Sequence, residues 1–198
     1  MKTLTKRTFA VWLATLFAAS ALTAGCSSGD SDSQSNPDSE GSSAVDEPAV
    51  ETVVTIGKVT GDLAEAERAP LKAAVKEVMD DYFEGAYLGE FPRSSFKQGY
   101  AAFTAGARRD AVKRDAALMS NADISSQIER AFATQRRVRL DVLAVKGAAR
   151  GVTARFTMDF ATSGTLEQEQ RVKGYLLMVP QGKNWRVFGY NVIKGTLG

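Results

Sequence analysis

Histidine is absent from this 198-residue chain, and cysteine occurs once, at Cys26. That removes the side chain most used for proton transfer near neutral pH. It also removes an internal disulfide and any cysteine–histidine metal cluster. Chemistry is left to carboxylates, tyrosines and arginines. Asp141 and Asp159 lie in segments that alternate apolar with polar residues, each on the polar side. Asp141 shares its side with Arg137 and Arg139, which reads as a ladder of ion pairs rather than a base in an apolar pocket. Asp110 and Asp115 stand beside Arg109 and Arg114 on a charged helical stretch and read as solvated. The glycines of "VTIGKVTG" do not have the spacing of a phosphate-binding loop, and no helix follows directly. No catalytic residue, metal site or cofactor is assigned from the sequence.

The elements that must carry these residues divide the chain into three unlike segments. The chain holds 25 bases and 23 acids; residues 1–25 contain three of the bases and no acid, and residues 26–51 contain seven of the acids and no base. Residues 52–198 are left with 22 bases and 16 acids, a net charge of +6.

The basic start "MKTLTKR", the apolar run "FAVWLATLFAASAL" and the small residues "TAG" follow the secretory pattern. The apolar run falls short of the roughly 20 residues that span a bilayer as a helix. "LTAGC" resembles the bacterial lipobox, with its leucine, Leu22, one place further upstream than is commonest. The resemblance implies lipid transfer to Cys26, cleavage between Gly25 and Cys26, and an acylated Cys26 at the mature N-terminus. That places the protein on the outer side of the cell membrane, lipid-anchored. Acyl chains contribute about 0.8 kcal/mol per buried methylene, so two of them hold durably. Residues 26–51, rich in Ser, Asp, Glu and Gly, cannot bury enough apolar surface to offset the entropy of ordering, and read as a disordered acidic tether. At ~5–6 Å times the square root of its length, such a spacer reaches some 25–30 Å.

From Thr52 the composition changes. "TVVTIGKVTG" predicts a short strand. Pro70 suits a first helical position, and Leu71, Val75, Val78, Met79, Tyr82 and Ala86 then fall at spacings of three and four, an amphipathic helix closing before "GEFP". Ser94 or Ser95 caps a second short helix carrying Phe96, Tyr100 and Phe103; Thr104 caps a third, "AGARRDAVKRDAALM", with Ala111, Ala117 and Leu118 inward. Four strands follow. In the first, Val138, Leu140, Val142 and Ala144 point one way; in the second, Val152, Ala154, Phe156, Met158 and Phe160 do. "RVKGYLLMV" and "NWRVFGYNVIK" are joined by the turn "PQGKN". Helices first and antiparallel strands after is an α+β pattern, one domain over 52–198.

That order, ending in "NWRVFGYNV", resembles the NTF2-like superfamily, the cone-shaped fold of ketosteroid isomerases and SnoaL-type cyclases. The stretches "YFEGAYLGEFPRSSF", "FTAGARRDAVKRDAALMSN", "GVTARF" and "WRVFGY" are most similar to NTF2-like lipoproteins and secreted proteins of high-GC Gram-positive bacteria. The resemblance covers roughly residues 53–194 and implies N-terminal helices packed on a curved antiparallel sheet, with a pocket between them. Tyr82, Tyr100, Phe103, Trp185 and Tyr190 are the residues expected to line it, against the plain reading that such aromatics are core. The isomerase route would need a carboxylate base and an oxyanion donor deep in the cone, and no acid lies on an apolar face to serve it. Pairing of two copies through their sheets is also implied, and the strand pattern leaves it open.

Arg136, Arg137 and Arg139 are expected to form a basic surface with Arg155, Arg171 and Lys173 on neighbouring strands. In an exported domain such a surface meets anionic lipid or wall polymer, and nucleic acid fits the charge but not the compartment. The reading is a membrane-anchored, non-catalytic module that binds an apolar or amphipathic small molecule in the cone or docks an envelope protein on the sheet. An enzyme of the isomerase kind and a basic surface for anionic polymers are the alternatives. An open aromatic pocket favours a small ligand; a filled interior with an apolar patch on the sheet favours docking.

Overall fold

Apolar side chains on every second residue force a strand to bury one face, and four such strands in succession need one shared cover. The computed structural model describes residues 50–197, and in it that cover is the helical first half of the domain. The readings of residues 1–25 and 26–49, with Gly25 and Cys26, lie outside the described residues.

The fold is α+β, with a six-stranded mixed sheet. β1 (Val53–Thr60) leads into α1 (Glu65–Ala86). A two-residue strand, β2 (Gly89–Glu90), and a 3₁₀ turn (Lys97–Tyr100) precede α2 (Ala105–Lys113) and α3 (Ala116–Met119). The long strands follow: β3 (Ile128–Val145), β4 (Ala148–Gly164), β5 (Glu169–Gln181) and β6 (Asn184–Thr196). Their order is β1-β3-β4-β5-β6, with β2 also paired to β3. The expected antiparallel sheet is corrected at its edge, where β1 runs parallel to β3, Val53 opposite Arg137 and Thr60 opposite Leu143. The β3–β4 hairpin closes on Lys146 and Gly147 at φ 53° and 82°, the two positive values that a tight primed turn needs.

The helix reading holds on its inner stripe. Leu71, Val75, Met79, Tyr82 and Ala86 are buried, and Phe83 joins them. Its start is corrected: α1 begins at Glu65, and Pro70 sits inside it. Glu65 and Glu67 in the first turn complement the partial positive charge of the helix start. Its other end is closed by Arg93, whose guanidinium donates to the carbonyls of Glu84 (3.0 Å), Gly85 (3.3 Å) and Leu88, and lies 4.5 Å from the Phe91 ring centre. The third helix is corrected as well. It breaks at Arg114–Asp115, so Ala111 faces inward but Ala117 and Leu118 are exposed.

The strands turn Val138, Leu140, Val142, Val152, Ala154, Phe156, Met158, Phe160, Val172, Leu176 and Met178 towards α1, all buried. We call this the inner face and the opposite one the outer face.

Candidate functional site

Between α1 and the inner face the space is occupied by aromatic rings. Tyr82, Tyr100 and Phe103 are each no more than 2% exposed. The ring centre of Tyr82 lies 5.5–6.3 Å from those of Phe83, Tyr87, Tyr100, Phe103 and Phe156, distances of direct packing. Each buried phenol has a partner. Tyr82 and Tyr87 share a hydrogen bond of 2.8 Å, Tyr87 donates to the Leu118 carbonyl at 2.6 Å, and Tyr100 donates to the Met119 carbonyl at 2.8 Å. Burial pushes the Tyr82 and Tyr87 phenols well above their usual range and Tyr100 up to about 12, so all three remain neutral donors. Of the five residues expected to line a pocket, Tyr82 and Phe103 are thus core, and Tyr100, buried with them, also reaches the base of a cleft on the helical side. Trp185 and Tyr190 are half-buried on β6, and Tyr190 touches Phe103 at 6.2 Å.

An acid and a tyrosine do meet, at Asp115 and Tyr190. The phenol donates to the carboxylate at 2.6 Å, and Arg114 Nε donates to the same group at 3.1 Å. The bond from Arg114, then that from Tyr190, hold the Asp115 carboxyl below the usual range, while burial and then Asp115 raise the phenol. A base needs the opposite tuning, and the arrangement is a structural hydrogen bond at the break between α2 and α3. Among the described residues, no group of three or more His, Cys, Asp or Glu side chains comes together as a metal site.

The outer face is unlike the inner one. Arg137, Arg139, Arg155, Arg171 and Lys173 lie on it, in register across β3, β4 and β5. Arg136 does not. It is opposite Met158 on the inner side, 11% exposed, and donates to Glu84 of α1 at 2.6 Å. The expected three-arginine surface is corrected to two of its members, because alternation sends adjacent strand residues to opposite faces. Both outer carboxylates are clamped: Asp141 by Arg155 at 2.8 Å and Arg139 at 3.4 Å, and Asp159 by a two-pronged contact from Arg171, 2.6 Å at each oxygen.

These clamps give a pH dependence. The bond from Arg171 holds Asp159 below the usual carboxylate range, the bond from Arg155 does the same for Asp141, and that from Arg114 for Asp115. A carboxyl depressed in the folded state contributes stability that is complete above its unfolded value, about 3.9, and is lost as pH falls through the folded value. The melting temperature is therefore expected to fall steeply only below about pH 4. Asp159→Asn is expected to lower it at pH 7 and to flatten the acid limb, which melts from pH 2 to 7 would read.

The outer face also carries apolar side chains. Six of the eight large apolar side chains exposed among the described residues lie on it: Val53, Leu143, Val145, Val179, Phe188 and Ile193. At the β3–β4 turn end three of them, Leu143, Val179 and Phe188, line with Leu177 a trough of about 410 Å³. Its floor is low because Gly151 stands opposite Leu143 with no side chain of its own. Lys58 and Arg150 stand at its edge, with no ion-pair partner among the described residues. The sequence carries the signal for this trough in two continuous apolar runs, "VLAV" and "YLLMV", where period-two alternation stops and both faces turn apolar. The sequence reading places those residues on strands and expects docking on the sheet, without locating the apolar patch at these runs.

No family model, no curated protein and no solved structure matches the chain. No helix of the described residues is long and apolar enough to cross a membrane.

Proposed function

We propose that this is a non-catalytic docking module of the cell envelope. An NTF2-like cone, filled by its own aromatic side chains, holds out a sheet whose outer face receives an envelope protein. One observation carries the reading: Tyr82, Tyr100 and Phe103 fill the interior, while Leu143, Val179 and Phe188 stand 51%, 37% and 50% exposed around a trough on the other side of the same sheet. Monomeric surfaces rarely leave a contiguous apolar patch beside so much charge unless something covers it. A polar rim around an apolar centre is the usual anatomy of a protein interface. Tethering through lipid on Cys26, with residues 26–51 as the leash, accounts for the secretory start and the single cysteine. It holds the module at the membrane among its partners. Among the described residues no carboxylate tuned as a base faces the filled interior, so nothing there favours the isomerase reading over docking.

Native mass spectrometry of the mature chain, exported from a bacterial host so that envelope molecules are present during folding, tests this. The expected mass is that of the protein and its lipid alone. A reproducible additional apolar molecule without an anionic group, released on denaturation, would return the interior to a binding role.

A further inference from the structure

On the helical side, away from the sheet, lies a cleft of about 320 Å³ to which no strand contributes a lining residue. One wall is the segment 93–97 and the other is α2–α3, with Tyr100 at the base. Its volume is at the lower end of the ~300–1,000 Å³ of small-molecule sites.

The lining has a consistent chemistry. Phe96, Val112 and Ala116 make it apolar, and Val112 is 43% exposed within it. Lys97 and the hydroxyl residues Ser94 and Ser95 stand on one wall, and no carboxylate is among the lining residues. Among the described residues no Asp or Glu lies within ion-pair distance of Lys97. Tyr100 and Ser120 are already committed as donors, to the carbonyls of Met119 (2.8 Å) and Ala116 (2.8 Å). Arg93 spends its donors on the end of α1 but adds its positive charge behind the Phe96 ring, at 5.9 Å. An ammonium with no carboxylate partner, on the same wall as two hydroxyl residues and facing an apolar lining, is complementary to one kind of solute, an anion at one end and hydrocarbon at the other.

We propose that this cleft binds a short-chain organic monocarboxylate, with the carboxylate at Lys97 and Ser94 and the hydrocarbon against Phe96, Val112 and Ala116. The site is separate from the sheet and does not rest on the docking reading.

The test uses the exported full chain carrying Cys26→Ser, so that no detergent competes, with octanoate as the probe. Octanol and octyltrimethylammonium are the neutral and cationic controls. Amide chemical shifts are followed during titration. The expected result is a saturable octanoate shift confined to residues 93–97, 112 and 116, no response to the cation, and at least about tenfold weaker binding in Lys97→Glu, the scale of one charge-assisted hydrogen bond. Lys97 is exposed, so that variant leaves the core intact, and unshifted Tyr82 and Phe103 signals check this. Absence of saturation, shifts centred on the outer trough, equal binding of octanol, or undiminished binding in Lys97→Glu would each overturn the proposal.

Discussion

Tyr82→Ala is expected to destabilise the domain by about 3–5 kcal/mol, the scale of removing a large buried aromatic ring. In a protein of this size that corresponds to a loss of roughly 6–20 °C in melting temperature. The reason is local. The ring is fully buried and packs against five other rings, so its removal leaves a hole that Phe83, Phe103 and Phe156 on different elements cannot all close. Tyr82→Phe is expected to cost only about 1 kcal/mol, one hydrogen bond, because Tyr87 keeps its bond to the Leu118 carbonyl. Denaturant melts of the two variants separate packing from polarity. The pair also bears on function. A tyrosine lining a wet, open pocket would be nearly dispensable for stability, so a small effect of Tyr82→Ala would mean the interior is not filled as described.

Gly85→Ala is the second large effect, and its sign makes it diagnostic. Alanine in place of glycine inside a helix ordinarily stabilises by about 0.5–1 kcal/mol. At Gly85 a Cβ would fall 2.2 Å from the Gly99 nitrogen and 2.5 Å from its Cα, which are backbone atoms of the 3₁₀ turn crossing α1. Gly99 answers in kind, since its own Cβ would meet the Ala86 nitrogen at 2.8 Å. The two glycines let α1 and the turn touch through their backbones, and the turn places Tyr100 over the aromatic cluster. Forcing the contact apart is expected to cost about 1–3 kcal/mol net of the helical gain. Gly106→Ala in α2 is the control. A Cβ there meets nothing within 4 Å, so the ordinary stabilisation is expected. Thermal melts of both variants should move in opposite directions.

Much of this architecture is legible in the residues. The stripe Leu71, Val75, Met79, Tyr82 and Ala86 needs only helical spacing, and the inner residues of β3 and β4 need only alternation. What escaped depends on contacts between segments distant in sequence. Nothing local to "TVVTIGKVTG" says that it pairs with β3 residues 83 or 84 positions later, or that it runs parallel to them. The run "AGARRDAVKRDAALM" is made of good helix formers, yet it breaks where Asp115 accepts the Tyr190 phenol from 75 residues away. Arg136 is a different kind of miss. Period two already puts it on the side of Val138, and grouping it with Arg137 followed adjacency in sequence instead of direction in space. The filled interior could not be read at all, since the same aromatics serve equally as a core or as a pocket lining.

Site-specific photocrosslinking in intact cells tests the central claim most directly. A photoreactive residue at Val179 would lie in the outer trough, and one at Lys72, exposed on α1, would lie away from it. Docking predicts a discrete protein adduct from Val179 and none of that size from Lys72. It also predicts loss of the adduct when Gly151→Val fills the trough. The nearest atoms to a Cβ at Gly151 are 3.8 and 3.9 Å away, so that variant folds normally and its melt is the check. The same adduct from both positions, or an adduct from Val179 that survives Gly151→Val, would contradict the outer face as the working surface.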